Sequence, residues 1–144
     1  MKSKNIIFPS SNRPKMDALR DAAVRGDVNE LRRIIDNRAD IQAHDGLGFT
    51  VLMLAVQRGS ADCVQLLIDA RVALDTRVHG RHLGVTALIW AVELGKTACA
   101  RLLIDAKANL ELRDRNGHTA FCRAVARGRA DCAQLLMDAK ADVT

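Results

Sequence analysis

Three stretches of the chain can be laid over one another: FTVLMLAVQRGSADCVQLLIDARVAL (49–74), VTALIWAVELGKTACARLLIDAKANL (85–110) and HTAFCRAVARGRADCAQLLMDAKADV (118–143). The second position of each stretch is a threonine: Thr50, Thr86 and Thr119. The alanines and glycines of the three stretches keep the same two spacings: Ala55, Ala91 and Ala124, and Gly59, Gly95 and Gly128. The sequence therefore predicts a repeat protein.

A fourth and more degenerate copy lies upstream, in DALRDAAVRGDVNELRRIIDNRADI (17–41). Gly26 precedes Gly59 by 33 residues, and Ala22 precedes Ala55 by the same distance. The period is 33 residues, with three extra residues between the second and third copies.

Each copy has the pattern of two short helices. The threonines are suitable N-cap residues, and Leu52, Ala55 and Val56 then follow at helical spacing. The glycines are expected to end the first helix, after which Ser60 can cap a second helix. Helices of about two to three turns are too short to be stable alone, so stacking against the neighbouring copy must supply the burial.

Composition sets the class of the protein. Hydrophobic residues make up 49% of the 144 residues and charged residues 27%, which suits one compact domain. The net charge of +5 favours an acidic partner but is modest for a nucleic-acid binder. The sequence contains no run of about 18 apolar residues, so it does not predict a membrane-spanning helix. The N-terminal stretch has too short an apolar run for a secretory signal. A cytoplasmic or nuclear location is expected.

These residues resemble the ankyrin repeat, whose pattern is roughly D-x-x-G-x-T-P-L-H-x-A-A, a glycine turn, and a Leu-Leu helix ending in G-A-D-V-N. The matching openings are DGLGFTVLMLAV (45–56) and DRNGHTAFCRAV (114–125). The resemblance implies an all-α solenoid of stacked helix–turn–helix units with β-hairpin-like loop fingers. It covers residues 15–144, with repeats at about 15–44, 45–77, 78–113 and 114–144, after a flexible N-terminal arm at 1–14.

The departures from that pattern recur in register. Its proline is replaced by Val51, Ala87 and Ala120, and its histidine by Met53, Ile89 and Cys122. The glycine after the second helix is replaced by Arg38, Arg71, Lys107 and Lys140. If these residues are left-handed, each costs roughly 1 kcal/mol. One first-helix position is not uniform, being Leu54, Trp90 and Arg123 in successive repeats.

The cysteines and aspartates that could suggest a metal site or a catalytic site are better explained as parts of the repeat scaffold. Cys63, Cys99 and Cys132 share one second-helix position, which predicts a buried small apolar residue. There is no C-x-x-C pair, catalytic motif or phosphate loop, and the recurring Asp69, Asp105 and Asp138 belong to the repeat. We expect no metal, no cofactor and no enzymatic activity.

The extra residues introduce a histidine-rich and arginine-rich loop, TRVHGRHLG (76–84). Two interpretations of His79, His82, Arg77 and Arg81 stay open. The loop is either simply solvated or an enlarged basic finger tip that touches a partner.

Ankyrin arrays generally contact partners through the loop fingers and the exposed face of the first helices. The resemblance therefore predicts the following partner-binding residues: His44, Leu47, Phe49, Gln57, Arg58, Arg77, His82, Leu83, Val85, Glu93, Leu94, Arg113, Arg115, Asn116, His118 and Arg127. Five of them are apolar at positions expected to face solvent: Leu47, Phe49, Leu83, Val85 and Leu94.

The leading hypothesis for function is a scaffold or adaptor that binds another protein with an acidic and partly apolar surface, without a small-molecule substrate. An alternative is a nucleic-acid or anionic-surface binder that uses arginine-rich tips, although aromatic residues for base stacking make up only 3% of the chain. A further alternative is the ankyrin fragment of a larger protein. In that case we expect self-association through the C-terminal repeat, with Cys132, Leu135, Leu136 and Met137.

Overall fold

The computed structural model describes residues 13–46 and 48–141. Within them the chain forms eight α-helices and a single 3₁₀ turn at Gly80–His82. The helices are α1 (Arg13–Arg25), α2 (Val28–Asp36), α3 (Val51–Arg58), α4 (Ala61–Asp69), α5 (Ala87–Leu94), α6 (Thr97–Asp105), α7 (Ala120–Ala126) and α8 (Ala130–Asp138). Helix α1 begins two residues before the predicted boundary at residue 15, and residues 1–12 of the predicted arm lie outside the described residues.

The predicted helix boundaries are confirmed by hydrogen bonds at the caps. The hydroxyl of Thr50 accepts the N–H of Met53 at 3.2 Å, and Thr86 and Thr119 cap α5 and α7 in the same way. Ser60 caps α4. At the other end, Gly59 is left-handed with φ of 81°, which lets α3 stop and the chain turn back into α4.

The four basic residues that replace glycine after the second helices are left-handed. Their φ angles run from 67° to 71°, for Arg38, Arg71, Lys107 and Lys140. A residue with a Cβ is strained there by roughly 1–2 kcal/mol. The repeat therefore carries the same local strain four times.

The helices stack in two layers. The first helices of the repeats, α1, α3, α5 and α7, contact one another in sequence, and the second helices, α2, α4, α6 and α8, do the same. The core lies between the layers and between successive repeats. The three in-register cysteines, Cys63, Cys99 and Cys132, are buried there, as predicted.

Fingers connect one repeat to the next, at residues 44–46 with 48–50, at 78–85 and at 114–119. The first and third fingers are each closed by one backbone hydrogen bond of 3.0 Å. In the first, the N–H of Asp45 donates to the carbonyl of Phe49, and in the third, the N–H of Asp114 donates to the carbonyl of His118. The second finger contains the extra residues and is closed from the N–H of Val78 to the carbonyl of Val85 at 2.9 Å.

Neighbouring fingers pack backbone against backbone. A Cβ on Gly84 would lie only 3.0 Å from the Cα of Asp114, and one on Gly48 would lie 2.8 Å from the backbone nitrogen of His79. The backbone N–H of Arg115 also donates to the carbonyl of Leu83 at 3.0 Å. This close contact holds the fingers side by side and places the residues of one finger beside those of the next.

Candidate functional site

Three aromatic rings from two fingers and one helix form a cluster. Phe49 lies at the end of the first finger, His82 in the second finger and Trp90 in α5, and each pair of rings is edge-to-face with centroids 5.5–5.7 Å apart. Edge-to-face pairs are favourable because the positive ring edge meets the negative ring face. The structure thus brings the predicted residues Phe49 and His82 together around a residue that the sequence did not assign to the site.

An ion-pair network lies beside the aromatic cluster. Glu93 of α5 pairs with Arg123 of α7 at 3.3 Å and with Arg127, the residue that follows α7. Arg123 also pairs with Asp114 of the third finger at 2.8 Å. The network crosses from the third repeat to the fourth. Two of its members, Glu93 and Arg127, were predicted as partner contacts, and each already has a charged partner within the protein.

Asp114 anchors this network from a buried position. Burial by itself raises the pKa of the carboxyl, but the N–H of His118, the guanidinium of Arg123 and the N–H of Asn116 together hold the pKa below its ordinary value of 3.8. Asp114 is therefore a structural carboxylate that closes the third finger and orients Arg123.

A pocket of about 370 Å³ opens between the aromatic cluster and the ion pairs. Its apolar wall consists of Val85, Ile89, Leu94 and Trp90, and its polar wall of Glu93, Arg123 and Arg127. His82 stands at the finger side. The pocket is thus apolar on one side and charged on the other, which is the usual character of a site that binds with orientation.

Two polar atoms of the pocket-lining residues make no hydrogen bond within the described part of the chain. They are Nε1 of Trp90 and Oε1 of Glu93, both inaccessible to solvent. The Glu93 oxygen does lie 3.3 Å from Nη1 of Arg123, but the approach is not aligned for a hydrogen bond. An unpaired buried group costs about 1–3 kcal/mol, and for the Glu93 oxygen the ion pair with Arg123 offsets part of that cost.

The predicted apolar strip is only partly exposed. Val85 was expected to face solvent, and this is wrong: it is 7% exposed and joins the buried core, because its backbone bonds with Val78 and His82 hold it within the enlarged second finger. Leu83 is 47% exposed, while Phe49 and Leu94 are half-buried. Leu47 lies outside the described residues. The side chains left at this surface are therefore Leu83, Phe49 and Leu94.

The arginines at the finger tips divide into two kinds. Arg77 donates to the carbonyls of Gly84 and Arg113, and Arg113 donates to the carbonyl of Gly117, so both already support neighbouring fingers. Arg81 and Arg115 are exposed and make no ion pair with any described residue. The free positive charge of the tips therefore belongs to Arg81 and Arg115.

The remaining predicted contacts lie around the edge of this surface. The rings of His44 and His79 are edge-to-face at 5.7 Å, and Nδ1 of His44 lies 3.0 Å from the carbonyl of Asp45. Four others are exposed: Gln57, Arg58, Asn116 and His118. We call the fingers together with the adjoining sides of α3, α5 and α7 the finger face.

Neither the histidines nor the cysteines assemble into a metal site in the described part of the chain, where no group of three potential ligands occurs. The four thiols are free. Burial raises the pKa of the Cys99 thiol, as expected for a cysteine used as a small apolar core residue.

Sequence reasoning missed Trp90 and Arg123 as members of the site. Both had been noticed only because they replace Leu54 at a position that differs between repeats. That irregularity was itself the signal: Trp90 is the only tryptophan of the chain and stands at a half-buried first-helix position.

The fold and this face define a helical-repeat array with a composite surface for binding. Compared with known families, residues 19–114 and again 73–144 match the family described as Ankyrin repeats (3 copies). The chain belongs to the ankyrin-repeat family, as its sequence predicted. Ankyrin repeats are generally protein–protein interaction modules and typically non-catalytic.

No individual curated protein matches the chain significantly. Among the described residues, none of the helices has the length and apolar character needed to cross a bilayer.

Proposed function

We propose that this chain is a non-catalytic scaffold or adaptor that binds an acidic and partly apolar surface of another protein through the finger face. The observation that carries the proposal is the position of Arg81 and Arg115, exposed and without ion-pair partners in the described chain, beside half-buried apolar surface. Apolar surface next to arginine is the composition that protein interfaces favour.

Charge supports the choice of an acidic partner. The chain carries a net charge of +5, and the arginines at the finger tips are exposed. A positive patch increases the association rate with a negative one and excludes positively charged competitors. Exposed charges act mainly on encounter, so the half-buried rings and the pocket must supply much of the affinity.

The surface is less suited to nucleic acid. The rings of Phe49 and Trp90 are half-buried and pack against each other and against His82, which reduces the ring surface on which a base could stack. Two of the tip arginines, Arg77 and Arg113, are already bonded to backbone carbonyls. Binding to single-stranded RNA that weakens steeply with salt would favour the nucleic-acid alternative.

A cytoplasmic or nuclear location belongs to the same proposal. Three of the four cysteines are buried as free thiols in the core, a use of cysteine that suits a reducing compartment.

Selection from a random displayed-peptide library tests the proposal. The selected peptides should be enriched in Asp and Glu around an apolar residue. The double variant Arg81→Glu/Arg115→Glu should weaken their binding about ten-fold or more, since each reversal turns an attraction into a repulsion.

The matched control is Arg32→Glu/Arg101→Glu, which reverses two exposed arginines on the second-helix layer. This control should change affinity by less than about two-fold, because its charges lie away from the finger face. Peptides without acidic enrichment, or equal losses in both double variants, would contradict the proposal.

A further inference from the structure

The side of the fourth repeat that faces away from the third carries positions that the inner repeats bury. Val56 and Val92 share one position of the first helices, and both are 0% exposed, with a further repeat stacked after each. Val125 occupies this position in α7 and is 61% exposed, since no described helix packs beyond the fourth repeat. A position that serves as a contact between repeats in α3 and α5 is therefore uncovered in α7.

Four other residues of the fourth repeat extend this uncovered surface. Phe121 and Cys122 are half-buried, although the corresponding residues of α3 and α5 are no more than 2% exposed. Ala133 of α8 is half-buried where α4 and α6 have fully buried residues, and Met137 is 44% exposed. These residues continue the interface between repeats, and we call them the outer edge: Phe121, Cys122, Val125, Ala133 and Met137.

The opposite edge of the array, on the first repeat, is charged where the inner repeats have an apolar residue. Cys132 stays buried in the fourth repeat, and its Sγ lies 3.8 Å from the hydroxyl of Thr97 in α6, so its position faces the preceding repeat. In the first repeat that position is Glu30, which is half-buried and paired with Arg33. A head-to-tail stack of copies would set this ion pair against the apolar outer edge. Removing paired charges from water in this way costs free energy.

We propose that the outer edge is a self-association surface, through which two copies of this chain pack fourth repeat against fourth repeat about a two-fold axis. A two-fold contact sets each patch against its own copy, so that apolar side chains meet apolar side chains. The helices α7 and α8 of one copy cover Val125 of the other, as the following repeat covers the same position in α3 and α5. The charged edge at Glu30 stays in water, so association closes at two chains.

This contact goes beyond the proposed function, because it requires none of the exposed arginines at the finger tips. A dimer of this kind carries two finger faces. A partner with two acidic segments could engage both of them and gain affinity from the linkage.

Sedimentation velocity of the full chain under reducing conditions tests the proposal, at concentrations from about 1 to about 500 µM, which span weak and moderately tight dimers. The weight-average sedimentation coefficient should rise with concentration from the value for one chain toward the value for two, and then level off. A plateau at two chains is the mark of a two-fold contact, whereas a head-to-tail contact continues to grow.

The variant Val125→Glu places a carboxylate in the outer edge of each copy. It should weaken association about ten-fold or more, because a charge replaces apolar contact and meets a like charge across the interface. Val125 is 61% exposed, so the fold should be unaffected, which a thermal melt checks. The matched control is Val24→Glu, the same change at a valine of α1 that is 49% exposed, and it should alter the dissociation constant by less than about two-fold.

The thiol of Cys122 gives a second readout, because it lies within the outer edge and is only half-buried. Its second-order rate constant with a thiol reagent should fall about three-fold or more as the protein concentration rises through the dissociation constant. In Val125→Glu the rate constant should stay the same over that concentration range.

Three results overturn the proposal: the sedimentation coefficient of one chain at every concentration, growth beyond two chains, or equal losses in Val125→Glu and Val24→Glu. Association that leaves the reaction rate of Cys122 unchanged also overturns it, since the contact then lies elsewhere. The proposed function is tested separately, by the binding of acidic peptides to Arg81→Glu/Arg115→Glu. Failure of either proposal is therefore distinguishable from failure of the other.

Discussion

One position of the second helices and one position of the first helices behave in opposite ways along the array. The second-helix position is cysteine in three successive repeats, Cys63, Cys99 and Cys132, and each is buried. The first-helix position is leucine, tryptophan and arginine in the same three repeats, at Leu54, Trp90 and Arg123, and each is half-buried. Packing between repeats restricts which side chain the buried second-helix position can hold. The half-buried first-helix position is restricted only on its inner side.

This difference separates the residues that stack the repeats from those that give the array its chemistry. A buried position must fill the same space in every layer, because interiors are close-packed and tolerate little change of volume. A half-buried position on the finger face can take any side chain that its few neighbours allow. Phe49 and Trp90 of the aromatic cluster and Glu93 and Arg123 of the ion-pair network lie at such half-buried positions.

The most direct test of this comparison is the same substitution, leucine to alanine, at a buried position of a second helix and at an exposed position of a finger. Leu103 is fully buried in α6 and Leu83 is 47% exposed in the second finger. Leu103→Ala should lower the free energy of unfolding by about 2–5 kcal/mol, through lost burial and the cavity left behind. Leu83→Ala should change it by less than about 0.5 kcal/mol. Urea denaturation followed by far-UV circular dichroism measures both, and similar losses would refute the division.

A smaller loss is expected at the network that links the finger face to the scaffold. Asp114→Asn should cost about 1.5–3 kcal/mol, since it removes the charged acceptor of Arg123 from a buried position. Asp105→Asn, at an exposed carboxylate of α6, is the control and should cost less than about 0.5 kcal/mol.

The same carboxyl predicts a pH dependence. The pKa of Asp114 lies below its ordinary value of 3.8 in the folded protein, so the unfolded chain binds the proton more tightly. Its contribution to stability is present above that pH and is lost as the pH falls through the lower folded-state pKa. Between pH 5 and 2, unfolding free energies of Asp114→Asn should therefore fall less steeply than those of the wild type. Parallel curves would exclude this role.

An opposite and smaller effect is expected at the left-handed positions. Lys107 has φ of 71°, and glycine there removes the strain of the Cβ while adding some entropy to the unfolded chain. Lys107→Gly should raise the free energy of unfolding by about 0.5–1 kcal/mol. Lys107→Ala keeps the Cβ and should give no such gain. A destabilised glycine variant would show that lysine contributes more than the strain costs.

The smallest effect on stability is expected for substitution of Cys122, the cysteine that does not share the second-helix position, and its test is thiol reactivity. The hydroxyl of Thr119, the backbone and the charge of Arg113 lower the pKa of the Cys122 thiol, which is partly exposed. Burial raises the pKa of Cys99 instead. With an excess of a thiol reagent at neutral pH, Cys122 should react first, and Cys122→Ser should abolish the fast phase. A fast phase that survives the substitution would place the reactive thiol elsewhere.

Most of the fold could be predicted from the sequence because its signals are local and repeated. The threonine caps, the glycine turns and the left-handed basic residues each depend on a few neighbouring residues. The burial of Val85 could not be predicted in this way, because it depends on how the enlarged second finger, with its 3₁₀ turn at Gly80–His82, closes from Val78 to Val85.

The site was harder to predict because its members come from different repeats. Phe49 and Trp90 are 41 positions apart in the sequence, yet their rings are in contact. The pairing of Glu93 with Arg123 and Arg127 likewise depends on how α5 stacks on α7. The resemblance to ankyrin repeats gave the face on which to look, but the pairing of side chains across repeats follows from the stacking geometry.

The position of Trp90 also makes its fluorescence a local probe of unfolding in the middle of the array. The chain holds one tryptophan and no tyrosine, so its indole emission arises at one place, where the second, third and fourth repeats meet. In an array that contacts only its neighbours, the ends can unravel while the middle stays folded. Tryptophan emission then reports unfolding of the middle repeats, while far-UV circular dichroism reports the loss of all the helices. The separation of the two unfolding curves measures how far cooperativity extends along the stack.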